Sequence, residues 1–138
     1  TPWRAFRRQT SFSNLNLADQ RTALLQRQRL SAAAWRSVGD AKVNTFLQYE
    51  RLYCEYSMVF FGDNGQGDLW CGEEIARRTS KENGGPLAAV FIHEVASRSV
   101  QLTSFPEHDQ QEAWRRRHVH FHKTYLGAAL NAHKEGLI

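Results

Sequence analysis

Apolar and polar positions change their period along this chain, and each change of period predicts an element. Residues 1 to about 16 have no clear periodicity and read as loop. From Asp19 to about Val38, the residues Leu24, Leu25, Leu30, Ala34, Trp35 and Val38 are spaced for one or two helices rich in Gln and Arg. A sharper helix is expected to begin at Gly39-Asp40, with Asp40 capping free backbone N–H groups and Phe46 and Leu47 facing the core. Ser57 to Phe61 reads as a buried strand that runs into a Gly/Asp loop. A helix follows from Leu69 to about Thr79, with Ile75 and Ala76 inward and Arg77 and Arg78 near its C-terminal end. Asn83-Gly84-Gly85-Pro86 breaks the chain.

The second half repeats this logic. Leu87 to Val95 is an apolar run of strand length, residues 96 to 110 form a polar loop, and Asp109 to Arg117 suggests a short helix. His118 to His122 alternates as a strand does, and a last helix is expected from about Thr124 to Glu135 with Gly136 as its C-terminal cap. Strands alternating with helices imply crossover connections and a parallel sheet flanked by helices, an α/β fold. The expected organisation is a poorly defined N-terminal segment over 1–39 and an α/β region over 40–138.

Composition narrows the function classes. A chain of 138 residues is one domain at most, and no apolar run approaches a membrane span or a signal-peptide core. The two cysteines, Cys54 and Cys71, suggest no disulfide framework and fit a reducing, intracellular, cytoplasmic setting. The formal charge of +4 comes with arginine clusters at Arg4, Arg7 and Arg8 and at Arg115 to Arg117, which suit phosphate or anionic lipid. No zinc-finger spacing, RNA-binding aromatic signature or basic zipper accompanies them, so nucleic acid is not an expected partner.

The strongest chemical signal is Met58-Val-Phe-Phe-Gly-Asp-Asn-Gly-Gln-Gly-Asp68. It puts Asp63 and Asp68 on one short loop at the carboxyl end of a strand, where open α/β sheets hold their ligands. Two unit charges about 4 Å apart repel by roughly 4 kcal/mol at an effective dielectric near 20, so a cation is the natural third party. Mg²⁺ is the usual oxygen-seeking candidate. An EF-hand is excluded, because its sixth position requires Gly and Asp68 stands there. The plainer reading is a solvated turn with Asp68 as a helix cap.

Gly62-Asp63-Asn64-Gly65-Gln66-Gly67-Asp68 after an apolar strand resembles the fourth motif of the haloacid dehalogenase superfamily. The wording is closest to its phosphatidate-phosphatase-like branch, which has a fungal actin-patch member, with Asn64 in place of that branch's serine. The resemblance extends back to Lys42 and forward through Ala88 to His93 and Thr124 to Ala129, covering roughly residues 40 to 138. It implies a Rossmann-like sheet and Mg²⁺-dependent hydrolysis of a phosphomonoester, either a phosphorylated small molecule or a lipid phosphate at a membrane surface. Asp63 and Asp68 would hold the metal, Lys42 would stabilise the transferring phosphoryl group, and Thr10, Ser11 and Asn64 would contact phosphate. The family's Asp-x-Asp nucleophile pattern is missing from this sequence. The expected account is therefore the C-terminal portion of a longer enzyme whose first strand lies elsewhere, inactive alone and prone to association through an unpaired edge. The alternative is a non-catalytic or degenerate α/β module that binds phosphate or anionic lipid through its arginines.

Other residues carry weaker signals. His118, His120 and His122 share one strand face, but the outer two stand roughly 13 Å apart along a strand, too far for one ion to take all three. His93 lies near the same carboxyl edge as Asp63 and reads as a structural histidine. Trp35, Trp70 and Trp114 read as packing residues, with Trp70 close enough to Asp68 to line a pocket. Cys71 sits near a helix N-terminus without an evident base partner and reads as an inert buried thiol.

Overall fold

The computed structural model describes residues 17–97, 101–106 and 108–138. Helix α1 spans Leu17–Leu52, strand β1 Met58–Asp63 and helix α2 Asp68–Thr79. A single 3₁₀ turn at Lys81–Asn83 leads to β2, Leu87–His93, followed by α3, Gln110–Arg116. Strand β3, Val119–His122, and helix α4, Tyr125–Lys134, complete the order. The three strands form one parallel sheet in the order β1-β2-β3, with Asp63 opposite His93 and His93 opposite His122. The architecture is α/β with helices flanking an open parallel sheet. Among the described residues, no helix is long and apolar enough to cross a membrane.

The chain divides into two compact units, residues 1–31 and 32–138. In the first, the described residues 17–31 are helical, with Leu17, Leu24, Leu25 and Leu30 largely exposed. The second contains the sheet. Its core joins α2 (Leu69, Cys71, Ile75, Ala76) to one sheet face (Val90, Ile92, Val119), with Val43 of α1 and Trp114 of α3 closing it. Leu69, Ile75, Val90 and Ile92 are each at most 1% exposed, and full burial of such a side chain contributes about 1.5–3 kcal/mol. On the other face Phe61 stacks on Phe91 at 5.0 Å and Phe91 on His120 at 5.5 Å.

The helix predicted to start at Gly39-Asp40 does not start there. Helix α1 runs unbroken through both residues. A Gly inside a helix costs about 1 kcal/mol relative to Ala, and here close packing requires it. A Cβ on Gly39 would stand 2.7 Å from Trp70 Cδ1 and 2.9 Å from the Gly67 carbonyl oxygen. Asp40 caps nothing; its Oδ1 accepts a 2.8 Å hydrogen bond from Trp70 Nε1. Gly39 and Asp40 thus dock α1 against the start of α2.

The other boundaries agree with the sequence to within a residue or two. Thr124 caps α4 through a hydrogen bond that its Oγ1 accepts from Gly127 N, and Gly136 takes φ 70° just past the helix end. Residues of the polar loop are tied to α2. Thr103 Oγ1, Ser104 N, Ser104 Oγ and Trp114 Nε1 all donate to the buried Glu73 carboxylate, at 2.5 to 2.9 Å. Burial still pushes the Glu73 carboxyl above the usual carboxylate range, and these four donors oppose that rise.

Candidate functional site: an acidic loop and a lysine at the sheet edge

The site is built where β1 ends. Strand pairing with β2 fixes Asp63 at the carboxyl end of the sheet. The chain then turns through Gly65 and Gly67, and Gly67 adopts φ 80°, a conformation that L side chains rarely take. A Cβ on Gly67 would also meet the Trp35 carbonyl oxygen at 2.4 Å, so this turn accepts only glycine. Asp68 opens α2 directly afterward.

The turn folds Asp68 back over the strand. Asp63 N donates to Asp68 Oδ2 at 3.2 Å, and a Cβ on Gly62 would lie 2.5 Å from Asp68 Cβ. Gly62 therefore makes room for the second carboxylate. Asp63 Oδ1 accepts a 2.7 Å bond from Gly65 N, a local Asx-type turn. Lys42 Nζ, on α1, forms an ion pair with Asp68 Oδ1. Asp68 is thus a fixed link between the strand end and the helix lysine, not a helix cap. N-capping by its side chain is absent, and Gly67 holds the cap position.

Lys42 and Asp68 line a cavity of about 400 Å³ together with Thr45, Phe46, Tyr49, Phe60 and Phe61, and Asp63 is not among its lining residues. Charged and apolar side chains in one lining suit an anionic group carried on an apolar body. Trp70 does not join this lining. It carries Arg36 over its ring at 4.6 Å and bonds to Asp40.

The remaining predicted residues fall in different places. Asn64 is buried and crosslinks two loops. Its Oδ1 accepts from Val95 N and Ala96 N at 2.9 Å, and its Nδ2 donates to Ala96 O at 2.9 Å. Its amide thus faces protein partners. Thr10 and Ser11, and the arginines Arg4, Arg7 and Arg8, lie outside the described residues. Arg115 and Arg116 both pair with Glu112, at 2.6 and 2.7 Å. His93 stacks on His122 at 5.3 Å and its Nε2 lies 3.2 Å from Lys123 O, a packed strand histidine. Cys71 is fully buried, and burial, aided by Asp68, pushes its thiol up to about 12.

Two carboxylates escaped the sequence reading. Glu73 sits on α2 and Glu135 caps the end of α4, where an acidic residue ordinarily faces solvent, and neither has a local signal that marks it otherwise. Comparison with family models, with curated proteins and with solved structures finds no match to this chain.

Proposed function

We propose that Lys42, Asp63 and Asp68 form the metal-binding and phosphate-stabilising half of a haloacid-dehalogenase-type phosphatase site. The observation that carries this reading is the ion pair between Lys42 and Asp68, which joins residues 26 apart in sequence at the carboxyl end of the sheet. A structural turn needs no lysine from another helix, whereas a phosphoryl-transfer site needs a fixed positive charge beside its acidic loop.

The donor set fits Mg²⁺. It offers hard carboxylate oxygens on a short loop, and Asp63 would serve as direct ligand with Asp68 orienting the shell. When bound, the ion would neutralise phosphate oxygens during transfer. Lys42 would hold a phosphate oxygen at the cavity while remaining tethered to Asp68. Phe46, Tyr49, Phe60 and Phe61 would receive the organic part of the substrate, and an acyl chain of a lipid phosphate suits them as well as an aryl group does. On this reading the nucleophilic aspartate is not among these 138 residues, because no Asp-x-Asp occurs in them. It would come from a strand paired to the outer edge of β1, and β1 stands at the edge of the sheet. The non-catalytic alternative relies on free arginines, and the pairing of Arg115 and Arg116 with Glu112 weakens it.

The test is hydrolysis of an aryl phosphate by a longer protein that includes such a strand. Mg²⁺-dependent turnover is expected, with a loss of at least about a hundredfold in Asp63→Asn and in Lys42→Ala, the range set by removal of one electrostatic group. Full activity in Asp63→Asn would refute the proposal.

A further inference from the structure

A second group of ligating side chains lies away from the acidic loop, at the junction of β3 and the end of α4. His118 Nδ1 is 2.9 Å from Glu135 Oε2, and His120 Nε2 is 2.7 Å from Glu135 Oε1. One ligand atom from each of the three residues lies within 4.8 Å of the other two. We propose that His118, His120 and Glu135 form a zinc-type site for a first-row divalent transition metal, with one coordination position left for water or a ligand.

The geometry supports a metal in three ways. First, two ligands of one tetrahedral zinc, each bonded at about 2.0–2.2 Å, stand roughly 3.3 Å apart, so small rotations convert the present spacing to coordination. Second, His120 Nε2 is buried, and the group that faces it is Glu135 Oε1 at 2.7 Å. A buried imidazole nitrogen and a carboxylate oxygen held this close are two donors that one divalent ion takes up together. Third, Glu82 Oε1 lies 3.9 Å from His118 Nε2, the ring nitrogen not used toward Glu135. At that distance Glu82 makes no hydrogen bond, and its negative charge favours a cation beside the ring.

The backbone adds a fourth indication. His118 is the one non-glycine residue with positive φ among the described residues, at 54°. His118 directly precedes β3 in this uncommon conformation, and its ring shares the Glu135 carboxylate with His120. Two carboxylates, Glu82 and Glu135, offset the nearby charge of Lys134. The donor set of two imidazoles and one carboxylate prefers Zn²⁺ and its neighbours over Mg²⁺, so this site and the acidic loop select different ions.

The test uses the full chain in a Cys54→Ser background, which removes the exposed thiol, after chelation and dialysis. Calorimetric titration with Zn²⁺ is expected to give one site per chain, and Co²⁺ to give the visible absorption of a low-symmetry nitrogen/oxygen site. His120→Gln and Glu135→Gln are each expected to weaken Zn²⁺ binding at least tenfold, while Asp63→Asn leaves it unchanged. Circular dichroism checks each variant. If His120→Gln unfolds, Glu135→Gln, at the partly exposed end of α4, decides. No saturable Zn²⁺ binding, or binding that survives both substitutions, would overturn the site. So would binding lost with Asp63→Asn but not with Glu135→Gln.

Discussion

At the scale of single residues, neighbours decide what each side chain does. Cys71 and Cys54 make the point most simply. Cys54 is exposed, whereas Cys71 is fully buried with its thiol pushed up to about 12. The thiolate is the reacting form, so at pH 8 the native protein is expected to incorporate one equivalent of a maleimide or iodoacetamide, and the urea-unfolded protein two. Rapid double labelling of the native state, read by mass spectrometry, would contradict this packing. Several residue roles were legible in advance: the inert thiol, the structural His93, and the glycines of the acidic loop. Others were not. Glu73 and Glu135 look in sequence like any helix-surface acid, and only the fold brings Trp114 and Ser104 to one and two histidines to the other.

At the scale of elements, β2 is readable as a continuous apolar run, buried along most of its length, and α2 from the helical spacing of its inward residues. The helix start expected at Gly39-Asp40 fails for a physical reason. Gly39-Asp40 has the composition of a helix start, but the glycine is required by contact with Trp70 and the aspartate by the Trp70 indole N–H. Tertiary packing overrode a local signal. Strand β1 carries a further consequence. It lies at the sheet edge, with Val59 and Phe61 on its exposed face and Phe61 64% exposed. An exposed apolar edge strand templates association. Phe61→Lys is expected to lower concentration-dependent association in analytical ultracentrifugation, at a cost of about 1 kcal/mol for the lost stack on Phe91. Unchanged sedimentation in this variant would place association elsewhere.

At the scale of the whole molecule, three parallel strands bring the ends of distant segments to one edge. The sequence alone supplied the α/β class, the parallel sheet and the acidic loop, since each rests on local patterning. It supplied Lys42 and Asp68 as site residues only as an implication of resemblance and did not supply their ion pair, because no local rule links a helix to a loop 26 residues away. Arg115 and Arg116 share the single carboxylate of Glu112, so one net positive charge remains on these exposed side chains. The account turns on the acidic loop rather than on bulk charge. Its most direct test is calorimetric titration of this chain with Mg²⁺, compared with Asp63→Asn. The account predicts one saturable site in the parent chain and at least tenfold weaker binding in the variant. Equal binding by both proteins, or no binding by the parent, would contradict it.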